Sequence, residues 1–200
     1  MNSNLKEYIE DSINKQQQIN TSYNWNSVSG GSINETYRLS SNSNSFFVKT
    51  NSISVFENGF KEEALGLQFL EKNTALVPTI VLDGIFENQA YLVLEWIESG
   101  KETKQFWRNF AAQLVNLHKQ KHDKFGLDHT NYMGQLVQKN CFLDTFADFY
   151  IENRLKPQVK LAFDSNKLET KHVKQFEGLY KRIPEIFPIE KPSAIHGDLW

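Results

Sequence analysis

Apolar residues recur at helical spacing near the N-terminus, at Leu5, Tyr8, Ile9 and Ile13. Because their neighbours are polar, the pattern predicts a short amphipathic helix packed on the body of the protein, followed by a polar connector as far as residue 22. The pattern then changes to alternating and β-branched residues, with a glycine pair and a Ser/Asn-rich turn. These features predict three antiparallel strands, near 23–29, 33–39 and 46–50.

A second helical period follows over residues 56–72, with its apolar residues on one side. Two more strands are predicted near 79–86 and 90–95, joined by a turn at 87–89. This order of elements predicts a small antiparallel sheet that carries one helix. The first lobe is therefore predicted to span residues 23–97.

The strand patterns almost cease after this point, so residues 98–200 are predicted to form a mainly helical second lobe. Its helices are predicted near 106–117, 142–155 and 168–180. The middle helix is predicted to end at Lys156, because Pro157 lacks the N–H group that a helix interior needs. A last short strand is predicted at 193–195.

The composition limits the kinds of ligand that suit this chain. Of its 200 residues 40% are apolar, which is enough for a sizeable core, and 22 basic residues against 24 acidic ones give a net charge of −2. This balance favours neither nucleic acid nor an anionic membrane as a partner, and indicates a small neutral or mixed-charge ligand. The most apolar stretch, at 91–97, is too short to cross a bilayer, which takes about 20 residues.

Cysteine usage and the N-terminal residues bear on the cellular compartment. Cys141 is the single cysteine, so the chain cannot form an internal disulfide. The N-terminus has neither the apolar segment nor the small-residue cleavage site of a signal peptide. Both observations predict a protein of the reducing cytoplasm.

Two motifs of the first lobe contain residues of the types that bind phosphate. Gly30, Gly31 and Ser32 lie between two predicted strands, where backbone amides can hold phosphate oxygens; an ordinary hairpin turn is the alternative. Lys49 ends an apolar strand and can neutralise nucleotide phosphates if a helix carboxylate orients it. Glu63 is the favoured carboxylate, because it lies beside the apolar side of the predicted helix. A strand-end lysine that reaches water and a solvated helix carboxylate are the alternatives.

Two further motifs lie at the lobe boundary and at the end of the chain. Glu95, Trp96 and Ile97 end the last strand of the first lobe, where backbone groups can pair with the edge of an adenine ring. Asp198 follows a His-Gly pair and can accept or orient the proton of a substrate hydroxyl; a simple turn is the alternative. The sequence has no zinc-type set of Cys and His and no Walker phosphate loop.

Taken in chain order, six segments closely resemble the fructosamine kinase family, and they cover nearly the whole chain. They are Gly30-Gly31-Ser32-Ile33-Asn34, FFVKTN at 46–51, EEALGLQFL at 62–70, LVLEW at 92–96, NYMG at 131–134 and HGDLW at 196–200. The resemblance implies an α+β, protein-kinase-like fold of two lobes. An N-lobe sheet with one helix is followed by a hinge and a helical C-lobe, which is expected to be incomplete at Trp200. This arrangement agrees with the segmentation that the apolar pattern predicts.

The resemblance also implies an activity. Members of the family use ATP and Mg²⁺ to phosphorylate a sugar hydroxyl of ketoamines, the fructosamine or ribulosamine adducts that form when sugars glycate amines. The phosphorylated adduct is unstable and decomposes, so that the amine is repaired. The implied partner is a small-molecule or protein-bound ketoamine.

Individual residues take their implied roles from their match to the family's motifs. Lys49 matches the phosphate-binding lysine, Glu63 matches its helix partner and Asp198 matches the catalytic base. The hinge that holds adenine is matched by Glu95, Trp96 and Ile97. The glycine-rich loop is matched by Gly30, Gly31 and Ser32, and many relatives have a cysteine at the position of Ser32.

Magnesium ligands are the main departure from the family pattern. In the family, HGDLW continues into a Ser-Gly-Asn and later reaches a second metal-binding aspartate, so these ligands are expected after Trp200 and none is expected within the chain. Two alternatives stay open. One is another small-molecule kinase with the same fold, acting on an aminoglycoside, choline or homoserine. The other is a pseudokinase, a binding module without phosphoryl transfer.

Overall fold

The structure of the chain is a computed structural model that describes residues 2–29, 34–55, 58–73, 77–134 and 136–197. The chain separates into two compact units, Met1–Ala111 and Ala112–Trp200. The lobe limits expected from the sequence pattern, at 23–97 and 98–200, stay a prediction.

The first unit contains an N-terminal helix and a five-stranded sheet with one inserted helix. In chain order its elements are α1 (Ser3–Gln17), β1 (Asn24–Ser27), β2 (Glu35–Ser40), β3 (Ser45–Ser52), α2 (Gly59–Asn73), β4 (Ile80–Phe86) and β5 (Gln89–Glu95). Neighbouring strands are antiparallel and follow the order β1-β2-β3-β5-β4. The predicted sheet with one helix is confirmed, and the turn between β4 and β5 falls at 87–88 as predicted.

The predicted amphipathic helix α1 packs against one face of this sheet. Its apolar side contributes three fully buried residues, Leu5, Ile9 and Ile13. The strands contribute Leu39, Phe46, Val48, Tyr91 and Val93 to the same core. At the edge of this core, the indole Nε1 of Trp25 donates a hydrogen bond to Glu10 Oε1 at 2.6 Å. This face of the sheet is therefore occupied by the protein itself.

An Ile9→Ala substitution is expected to lower the free energy of unfolding by about 2–5 kcal/mol, because it leaves a cavity in a core that the helix and sheet share. Ile9 is fully buried. Chemical denaturation followed by circular dichroism measures the change. Glu7→Ala on the exposed side of the same helix is the matched control, and equal losses from the two variants would contradict the assigned packing.

The second unit is mainly helical but also contains a two-stranded hairpin that the apolar pattern did not predict. Helix α3 (Lys104–Lys119) contains the division at Ala111. It is followed by β6 (Asn131–Met133), β7 (Leu136–Gln138), α4 (Phe146–Tyr150), a π-helical turn (Ile151–Leu155), α5 (Lys156–Asp164) and α6 (Thr170–Ile186). The hairpin strands have only three residues each, which is too short for alternation to be visible in the sequence.

The predicted end of a helix at Lys156 is wrong, because the chain stays helical from Phe146 to Asp164. Two features accommodate Pro157. The preceding turn widens to π geometry, in which the Lys156 N–H donates to Ile151 O. The carbonyl of Asn153, which the missing N–H of Pro157 cannot reach, accepts instead from Arg154 Nη1 at 3.0 Å.

The predicted strand at 193–195 is also wrong. Ser193 forms a single isolated bridge with Lys121, and the Ala194 N–H donates to Gln120 O at 2.9 Å. The segment pairs with only a few residues that follow α3, so no continuous ladder forms. Its apolar residues resemble a strand in sequence, but Ile195 is 64% exposed.

Candidate active site

The face of the sheet opposite to the one that α1 covers contains Lys49 and Phe47. Side chains alternate between the faces of a strand, and the neighbours Phe46 and Val48 pack in the core beneath α1. Antiparallel register places Thr36 opposite Lys49 on this face. In the segment FFVK, Phe46 and Val48 therefore face the core, whereas Phe47 and Lys49 face the opposite side of the sheet.

Lys49 and Glu63 form an ion pair between β3 and α2. Lys49 Nζ lies 2.8 Å from Glu63 Oε1 and 2.7 Å from Oε2, and the two side chains are 19% and 31% exposed. The ammonium group also lies 5.8 Å from the centre of the Phe60 ring. Contact with both carboxylate oxygens and an aromatic neighbour restricts the lysine to one orientation.

The helical period explains why Glu63 is the partner of Lys49. Phe60 and Ala64 are 2% and 4% exposed and define the buried side of α2, and Glu63 lies three positions after Phe60 on the adjoining surface. Within the described part of the chain, the neighbouring Glu62 has a buried Oε2 without a hydrogen-bond partner. The pairing of Lys49 with Glu63 that the sequence analysis favoured is present.

The hinge segment predicted from the sequence is hydrogen-bonded to the start of β3 and to the residue that precedes β4. The Glu95 N–H donates to Thr79 O at 2.9 Å, and the Trp96 N–H donates to Ser45 O at 3.3 Å. Ile97 is 61% exposed. The N–H groups of Glu95 and Trp96 are therefore already hydrogen-bonded within the protein. An adenine ring at this segment would have to pair with other backbone groups.

Gly30, Gly31, Ser32 and Asp198 lie outside the described residues. Gly197, immediately before Asp198, has φ +88°, in the left-handed region that favours glycine. Hydrogen bonds join Pro192 and Ala194 to residues 120–122, so the chain that leads to Gly197 has a defined path within the second unit.

The hairpin β6–β7 contains the Asn-Tyr-Met-Gly segment and rests on a buried polar network. Asn140, 6% exposed, donates from Nδ2 to Asn131 Oδ1 at 3.0 Å and to His129 O at 2.9 Å. Arg154 Nη2 donates to Asn140 Oδ1 at 2.6 Å, and burial lowers the pKa of this guanidinium. The sequence analysis missed Asn140 and Arg154, because isolated polar residues beside apolar ones give no periodic signal.

Comparison with known proteins identifies the family. The family model described as fructosamine kinase matches residues 1–200. The chain belongs to the fructosamine kinase family. It is 35% identical over 175 residues to a protein of Enterococcus faecium described as a probable ketoamine kinase. It is 32% identical over 180 residues to the chloroplastic protein-ribulosamine 3-kinase of Arabidopsis thaliana.

The matches cover most of this chain but less of its relatives. The Enterococcus match covers 86% of the chain and 61% of the relative, and the Arabidopsis match covers 87% and 54%. A crystal structure from Haemophilus somnus described as a fructosamine-3-kinase superposes with a TM-score of 0.81 at 26% identity, over 96% of this chain and 65% of that one. This likeness confirms the predicted α+β, protein-kinase-like fold.

The family implies a bound nucleotide and a metal ion, and the described residues suit the nucleotide. Lys49 is oriented and only partly exposed, as a cation that binds nucleotide phosphates must be. Among the described residues, no group of three or more His, Cys, Asp or Glu side chains is arranged to hold a metal ion. None of the helices in the described ranges is long and apolar enough to span a membrane.

Proposed function

We propose that this protein is an ATP-dependent kinase that phosphorylates a sugar hydroxyl of ketoamines. The observation that carries the proposal is the Lys49–Glu63 ion pair, with both carboxylate oxygens within 2.8 Å of Nζ. In a chain of the fructosamine kinase family, an oriented lysine on a sheet face is the group expected to bind nucleotide phosphates. Without the carboxylate, the flexible lysine would lose orientational entropy on binding.

Each predicted site residue has a role in this proposal. When bound, ATP supplies the phosphoryl group. Lys49 neutralises charge on its phosphates and Glu63 holds Lys49 in place. Asp198 orients the acceptor hydroxyl and accepts its proton. The nucleotide is held at its two ends by the loop Gly30, Gly31 and Ser32 and by the hinge Glu95, Trp96 and Ile97.

The proposed acceptor is a fructosamine or ribulosamine, either free or on a protein. Support comes from relatives described as a ketoamine kinase and as a protein-ribulosamine 3-kinase. Phosphorylation of the sugar would make the adduct decompose and release the amine, which is deglycation. We also propose Mg²⁺ as the accompanying ion and the cytoplasm as the compartment.

The test is to incubate the purified protein with ATP, Mg²⁺ and a synthetic ribulosamine or fructosamine of lysine, and to follow ADP together with the phosphorylated product. The expected result is ADP formation that requires the ketoamine. Aminoglycoside, choline and homoserine serve as alternative acceptors. Turnover with one of these alone would identify another small-molecule kinase, whereas ATP binding without any turnover would indicate a pseudokinase.

A further inference from the structure

Arg38 connects the hinge to two strands of the sheet. Its guanidinium carbon lies 4.5 Å from the centre of the Trp96 ring. Its Nη2 lies 2.6 Å from Glu98 Oε1 and 3.2 Å from Ser45 Oγ. Three kinds of contact, stacking, ionic and hydrogen-bonding, therefore converge on one side chain, which is 35% exposed.

Trp96 has further contacts besides the one with Arg38. The Phe47 ring lies 6.3 Å from the Trp96 ring at an angle of 45°, and the Trp96 N–H donates to Ser45 O. Among the described residues, the buried Trp96 Nε1 has no hydrogen-bond partner, so contacts with the ring faces and the backbone hold this side chain. Arg38 supplies a charged contact with the ring.

The register of the sheet places Arg38 between the phosphate-binding lysine and the hinge. Arg38 pairs with Phe47, and Phe47 pairs with Leu94 on the next strand. This row lies on the same face as Lys49 and about 7 Å along the strand from it, in the direction of Glu95. A ligand with phosphates at Lys49 and a base at the hinge has to cross this row.

We propose that Arg38 is a positioning residue that keeps Trp96 and the hinge in the geometry that accepts the nucleotide base. The inference rests on the proposed function, and it assigns Arg38 no contact with phosphate. If the contact between Arg38 and Trp96 is lost, the hinge samples other geometries. The apparent affinity for ATP then falls in proportion to the fraction of molecules whose hinge can still bind the base. A cation–π contact at a partly exposed site stabilises by an amount that corresponds to about a fivefold change in affinity.

The test compares two ligands, ATP and inorganic tripolyphosphate, each titrated calorimetrically into the purified protein with Mg²⁺. Arg38→Met is expected to weaken ATP binding about fivefold and to change tripolyphosphate binding less than about twofold, because only the base end depends on the hinge. Glu98→Gln is expected to change ATP affinity less than about twofold. Glu98 is 69% exposed, and ion pairs at exposed sites contribute little stability. Arg182→Met, an exposed arginine on α6, is the matched control.

Several outcomes would overturn the inference. ATP affinity unchanged in Arg38→Met would remove the positioning role, and equal losses for ATP and tripolyphosphate would show general structural damage instead. If Arg38→Met does not fold, Arg38→Lys keeps the charge but lacks the planar group, and about threefold weaker ATP binding is expected. An unsubstituted protein that binds no ATP would refute the proposed function and this inference together, whereas normal ATP binding with an insensitive Arg38 refutes the inference alone.

Discussion

An Asp198→Asn variant is expected to lose phosphoryl transfer while it retains nucleotide binding. Asparagine keeps the shape of the side chain but cannot accept the hydroxyl proton, so kcat should fall by about 10²- to 10⁴-fold. The expectation rests on the proposed role of Asp198, which comes from the resemblance of His196-Gly197-Asp198 to the family's catalytic motif. Coupled-assay kinetics with a ketoamine acceptor and calorimetry with ATP measure the two properties separately.

A matched control and a contradicting outcome make the Asp198 prediction specific. Asp123→Asn changes an exposed loop carboxylate and should leave kcat and nucleotide affinity within about twofold of the unsubstituted values. Full turnover by Asp198→Asn would exclude this residue as the base. Loss of ATP binding in the same variant would show that Asp198 acts on the nucleotide.

A Lys49→Met variant is expected to lower kcat/KM for ATP by about 10²- to 10³-fold, because it removes a preorganised positive charge from the phosphates. The change also leaves the Glu63 carboxylate, 31% exposed, without its ionic partner. Steady-state kinetics at varied ATP concentration measure the effect. Lys61→Met, on the exposed side of α2, should keep both parameters unchanged.

The Lys49–Glu63 pair predicts a strong coupling between the two substitutions. Glu63→Gln keeps a hydrogen-bond acceptor for Lys49, so a smaller loss of about tenfold in kcat/KM is expected. In the double variant Glu63→Gln should add little to the effect of Lys49→Met, because Glu63 acts by orienting the lysine. Fully additive losses would show that Glu63 has a role independent of Lys49.

The sequence by itself determined the first unit in some detail. Period-2 and period-3.6 patterns are local, so they predicted β3, α2 and the hairpin of β4 and β5 close to their observed limits. Helical period also selected Glu63 as the carboxylate beside the buried side of α2. These features follow from side-chain direction along one element, which needs no knowledge of distant residues.

The second unit shows why other features required the tertiary structure. Pro157 is tolerated because Arg154 satisfies the carbonyl that the proline leaves free, and Arg154 in turn reaches Asn140, fourteen positions earlier in the chain. Among the described residues, the segment 193–195 has a single bridge, between Ser193 and Lys121, and therefore forms no strand. Both outcomes depend on which distant residues offer a hydrogen-bond partner, and no periodicity in the sequence encodes that.

The candidate site divides in the same way. The sequence determined which residue types occur there, since Lys49, Glu63 and the hinge could be placed on their elements from pattern and motif alone. Only the tertiary structure decided that Arg38 stacks on Trp96 and reaches Glu98, sixty positions away. The physical reason is that strand register and the course of the chain after β5 bring these side chains together, and both depend on packing across the whole sheet.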